Sequence, residues 1–112
     1  MRTLSAMACV LSLAGCATPA SRSEIDSAND AAFVCMQHAE PILDDRTSDA
    51  ITIAYGIVAK CTVEITHAAD VIAQGDGLEL RQYTRRKINE ASLKLATEIV
   101  LKERTQRARG SQ

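Results

Sequence analysis

The sequence predicts an all-α fold: an antiparallel helical hairpin joined by a third helix into a small three-helix bundle. Three observations lead there. Apolar residues recur at helical spacing through three successive segments, separated by short polar or glycine-rich breaks. Aromatic residues are limited to Phe33, Tyr55 and Tyr83, so the core must be built from Ala, Ile, Leu, Val and Met, which suits packed helices better than a sandwich. Cys35 and Cys61 fall on the first two apolar stripes, and their midpoint, residue 48, lies within two residues of the break between those stripes. A chain of 112 residues has room for one domain.

The first helix is expected to begin at Ser21 or Ser23. Ser21-Arg22-Ser23-Glu24 fits a capping box, and Glu24, Asp26 and Asp30 suit the positive end of a helix dipole. Ile25, Ala28, Ala32, Cys35, Met36, Ala39 and Leu43 form its apolar stripe. Pro41 disfavours helical geometry at Glu40, so the helix should end or kink there. Asp44-Asp45-Arg46-Thr47 is the expected turn.

A second helix is expected from about Ser48 to Ala73. Ile51, Ala54, Val58, Cys61, Ile65, Ala68 and Ile72 repeat with alternating steps of three and four, a heptad seam held for three repeats. Ile53, Ile57 and Val71 widen the apolar side, as a helix with neighbours on two flanks requires. Lys60, Glu64 and Asp70 argue against a membrane span. Gly75-Asp76-Gly77 ends this helix, and Asp76 with Glu79 can cap the next. The third helix runs to about Arg107 with a weaker stripe of Leu80, Ile88, Ala91, Leu95 and Ile99. The helical domain therefore covers 23–108, with 109–112 a disordered tail.

Overall charge is near neutral, but it is unevenly divided. Residues 16–80 carry 3 basic and 11 acidic side chains, and residues 81–112 carry 9 basic and 3 acidic. The acidic part can pack beside the basic part, and Glu90→Lys94, Glu98→Lys102 and Glu103→Arg107 have the spacing of favourable helical pairs. The stretch Arg81, Arg85, Arg86, Lys87 is a candidate partner surface for an anionic headgroup, peptidoglycan or an acidic protein, set against the simpler reading of a solvated face.

The first fifteen residues have the layout of a signal peptide. Arg2 and the amino terminus are positive, and Leu4–Gly15 is an uncharged, mostly apolar run too short to remain as a span. That run ends in Leu13-Ala14-Gly15-Cys16, which resembles the lipobox of bacterial lipoproteins. The resemblance implies cleavage of 1–15, diacylglycerol on the Cys16 thiol, and a membrane anchor through that lipid. It implies a periplasm-facing protein and, in a Gram-negative envelope, favours the outer membrane, because Ala17 replaces the Asp that favours inner-membrane retention. Residues 16–22 are then a lipidated start and short tether, reaching roughly 20 Å at about 3.3–3.6 Å per residue.

Under that processing Cys9 leaves with the signal peptide and Cys16 is consumed by lipid. Cys35 and Cys61 remain, outside the cytosol, and have one intramolecular pairing. A disulfide between them is expected, closing a loop of about 25 residues worth roughly 3.5 kcal/mol.

No catalytic constellation emerges. His38 and His67 have no nucleophile linked to them by spacing, and Asp44 and Asp45 are explained by helix-end polarity. Cys35, Met36, His38, Cys61 and His67 are soft or borderline ligands, but six helical steps set His67 about 120° around from Cys61, so no zinc site converges and no metal or cofactor is assigned. A compartment outside the cytosol leaves nucleic acid out. The expected function is non-enzymatic protein binding by a lipid-anchored envelope protein, in a structural or adaptor role. It would partner another envelope protein or itself, in keeping with the short, uncharacterised helical envelope lipoproteins it resembles. An inhibitor or immunity-type lipoprotein and a metal carrier are the alternatives. The first would bind one toxin or hydrolase tightly, and the second would carry stoichiometric copper or zinc.

Overall fold

A computed structural model of the chain describes residues 18–111. All regular secondary structure among the described residues is α-helix, in four helices: α1 Arg22–Leu43, α2 Ala50–Lys60, α3 Thr62–Ile72 and α4 Leu78–Gly110. The expected signal peptide, 1–15, and Cys16 lie outside the described residues. No helix among those described is long and apolar enough to cross a membrane.

The expected three-helix count is corrected to four because the middle segment divides at Cys61. There the backbone adopts φ −98° and ψ 20°, off the helical values. The Thr62 hydroxyl donates to the carbonyls of Val58 (3.2 Å) and Ala59 (2.8 Å), a local competition that bends helices. Hydrogen bonds from Cys61 N to Ile57 O and from Ile65 N to Cys61 O, both 3.0 Å, still carry the ladder across the break. So α2 and α3 act as one interrupted rod, antiparallel to α1, and α4 returns alongside.

Ser21 caps α1 in the expected box, its hydroxyl accepting from Glu24 N and its own N–H donating to the Glu24 carboxylate at 2.7 Å. Contrary to expectation, α1 continues through Pro41 to Leu43. In the last turn the missing N–H of proline removes one bond, while Asp44 N still reaches Glu40 O at 2.9 Å. Glu40 is buried there, and Leu43 packs on the core. The turn also runs longer than Asp44–Thr47. Asp45 accepts from Thr47 N, Ser48 N and the Ser48 hydroxyl, and Asp49 caps α2 through Thr52 N. Those hydrogen bonds to Ser48 and Thr47 hold the Asp45 carboxyl down at about 2. Arg46 takes the left-handed conformation, φ 61°.

Two corrections concern α4. Its N-cap is Gly77, with no side-chain cap, so the expected Asp76 box is not made. Its buried face is Ser92, Ala96, Ile99 and Val100, while Leu80 and Ala91 of the expected stripe are exposed. Small residues at 92 and 96 let α4 approach the other rods closely, which a search for large apolar side chains overlooks. The helix also extends past Arg107 to Gly110, so the first two residues of the expected tail, 109 and 110, are helical. Expected stripes on the other helices hold better. Ala32, Met36 and Ala39 meet Ile53, Ala54, Ile57, Cys61 and Ile65 in one core, although Ile51 is half exposed.

The helix order gives the bundle two distinct ends. At one, Gln74 Nε2 donates to Thr18 O at 2.9 Å, so the residues before α1 meet the end of α3 close to the start of α4. At the other lie Leu43, the 44–49 turn and the last turns of α4. The 22 residues of α1 separate these ends by about 33 Å.

Candidate functional site

Four features bear on chemistry or binding. The first is the cysteine pair. Cys35 and Cys61 are placed as a disulfide, with Sγ atoms 2.10 Å and Cα atoms 5.9 Å apart. Helix seams bring them together because both sit on core-facing stripes of antiparallel rods. The Glu64 carboxylate lies nearby, and among the described residues Cys35, Cys61 and Glu64 are the one group of metal-ligating types within 4.8 Å of one another. With the sulfurs at bonding distance this group lacks two thiolates, and His38 and His67 are exposed on the surface apart from it. That arrangement is a crosslink in the hairpin.

The second feature is an ion cluster at the turn end. The Asp44 side chain has no exposed surface and accepts from Arg104 through both carboxylate oxygens, from Arg107 Nη1 at 3.1 Å, and from Arg46 N at 2.9 Å. Arg107 Nη2 also reaches Glu40 Oε2 at 2.7 Å, and Arg104 Nη2 reaches Ser48 O at 2.8 Å. The Arg104 hydrogen bonds hold the Asp44 carboxyl well below the usual carboxylate range, outweighing the opposing effect of burial. The carboxylates likewise push Arg104 and Arg107 up. Through these bonds Asp44 clamps α4 to the hairpin turn. In the sequence Asp44 reads as turn polarity, Arg107 has Glu103 at pairing distance, and Arg104 has no evident role. The signals for the cluster are the i,i+4 spacing of Glu40 and Asp44, the i,i+3 spacing of Arg104 and Arg107, and the charge imbalance between the two parts of the chain.

The basic stretch is the third feature, and its four cations are not equivalent. Arg85 pairs with Asp70 at 2.7 Å, and Lys87 pairs with Glu90 at 3.0 Å while lying 5.8 Å from the Tyr83 ring centroid. The Glu90→Lys94 pair expected from spacing gives way to this one. Arg81 and Arg86 are exposed and make no ion pair among the described residues.

The fourth feature is a groove between α1 and α4. Because α4 packs mainly on α2 and α3, its seam with α1 stays open. Ala32, Phe33, Met36, Ile88, Ala91 and Leu95 line about 280 Å³ of mostly apolar space. A second stretch of about 180 Å³ shares Phe33 and Leu95 and continues toward Gln37, Glu98 and Lys102. Phe33, the single phenylalanine, is 37% exposed at the junction of the two. Phe33 was absent from the expected stripe because it lies one residue off it.

No protein-family model matches this chain. No curated protein and no solved structure matches it either.

Proposed function

We propose that the chain is a lipid-anchored, periplasm-facing envelope protein, held through Cys16, that works without catalysis by binding another protein along the α1–α4 groove. The anchor is supported by the Leu13-Ala14-Gly15-Cys16 motif after an apolar run. One observation carries the binding role: two adjoining stretches of the α1–α4 seam that share Phe33 and Leu95, the first mostly apolar and the second edged by Gln37, Glu98 and Lys102. An aromatic side chain standing partly clear of its own core is the kind of anchor that protein interfaces bury. The disulfide-braced hairpin presents that groove as a rigid surface, which lowers the ordering cost of association.

A photoreactive residue at position 33 in intact cells is expected to yield one discrete adduct. The same group at Tyr55, which is 60% exposed on α2 and outside the groove, should yield none. Leu95→Glu places a charge in the apolar seam and should reduce the adduct at least about tenfold, the equivalent of 1.4 kcal/mol. Equal labelling from positions 33 and 55, or an adduct unchanged by Leu95→Glu, would count against the groove.

A further inference from the structure

The end of the bundle that carries the tether has a surface the fold leaves uncovered. Every residue from Gln74 to Tyr83 is exposed. Leu78, Leu80 and Tyr83 are 72%, 51% and 50% exposed, and with Gly77 and Glu79 they surround a shallow apolar depression at the start of α4. Arg81 lies within this segment and Arg86 about one turn beyond Tyr83, both exposed and without ion-pair partners among the described residues. Three large apolar or aromatic side chains at one exposed helix start are costly to leave in water, at about 25 cal/mol per Å² of apolar surface.

The chain outside the described residues leaves the fold at this same end. Thr18 O is held by Gln74 Nε2, four residues before Leu78. One residue, Ala17, lies between Cys16 and Thr18, a span of about 7 Å at full extension. A lipid on Cys16 therefore brings a bilayer surface to this end of the bundle first, since the turn end lies about 33 Å away.

We propose that this tip is a bilayer-contact surface, with Leu78, Leu80 and Tyr83 seated at the boundary of headgroups and acyl chains and Arg81 and Arg86 facing anionic lipid phosphates. The placement rests on the proposed anchor at Cys16. Tyrosine suits that boundary because its ring is apolar and its hydroxyl stays wet. Asp76 and Glu79 share the tip, and Asp70 and Glu90 occupy Arg85 and Lys87, so charge attraction is modest here. Apolar seating does most of the holding, helped by the high local concentration that a short tether imposes. The consequence is a fixed stance: α4 rises from the membrane, and the α1–α4 groove faces sideways at a set height.

The chain has no tryptophan, so Tyr83→Trp introduces a single fluorophore at an exposed position. The mature protein, purified from membranes with this substitution, is reconstituted into vesicles of phosphatidylethanolamine and phosphatidylglycerol with brominated acyl chains. Seating at the depth usual for interfacial helices predicts a roughly twofold loss of emission, and Leu80→Asp should restore it. Tyr55→Trp, remote from the tip, should stay unquenched. Unquenched emission from position 83 in protein whose intact mass includes acyl chains would overturn the contact and leave the anchor standing. Quenching at position 83 in protein whose mass lacks acyl chains would uphold the contact and overturn the anchor. Quenching of positions 83 and 55 alike would overturn the contact as non-specific adsorption.

Discussion

Replacing Asp44 with Ala is expected to destabilise the fold by about 3 kcal/mol, seen as a lower urea midpoint with an unchanged slope. This carboxylate has no exposed surface and gathers Arg104 and Arg107 from α4, so it ties the last turns of the longest helix to the hairpin turn. The cost sits at the low end for a buried pair because the two guanidiniums keep 26% and 29% exposure and can be hydrated when Asp44 is gone. Acid should have a related effect. Folding lowers the Asp44 pKa, so its contribution is fully present above about pH 5 and is lost progressively as pH falls below the unfolded value of about 3.9. Asp44→Ala should therefore flatten the acid limb of the stability curve. A wild-type acid limb in the variant would mean that other carboxylates govern acid unfolding.

Either Cys35→Ala or Cys61→Ala is expected to cost about 2–5 kcal/mol, and the chain-entropy argument for their separation of 26 residues gives about 3.5 kcal/mol. Loss of the crosslink is common to both, so the single variants should be similarly weakened and the double variant should add little to either. The effect is large for a core made mainly of alanines and short aliphatics, in which few side chains bury much area. In non-reduced protein neither thiol should react with an alkylating agent. Modification of both would mean that the bridge is not formed.

Helix type and the hairpin register were legible because they follow from periodicity. The stripe from Ile25 to Leu43 and the two cysteines land where spacing puts them. Cys61 shows where that reasoning stops: the heptad runs unbroken across it, yet the backbone there leaves helical values, a local change that apolar spacing does not register. Pro41 misleads in the opposite direction, because buried Glu40 and its ion pair with Arg107 favour continuing the last turn. On α4, Ser92 and Ala96 face the core through small size rather than hydrophobicity. The ion cluster was hidden for a similar reason. Residues 44 and 104 are sixty positions apart, and only the folded topology brings them into one salt bridge. The α1–α4 groove is a gap between helices, so it has no signature in the sequence of either.

The proposed anchor at Cys16 sets the compartment of the cysteines, the orientation of the bundle and the setting of the groove. Intact-mass measurement of the protein purified from cell membranes tests it most directly. The expected product begins at Cys16 and carries the added mass of diacylglycerol, with or without an acyl group on its amine, and Cys16→Ser should yield an unlipidated, mislocalised chain. A mature chain of unmodified mass, or one cleaved after Ala20, would contradict the anchor and the orientation built on it.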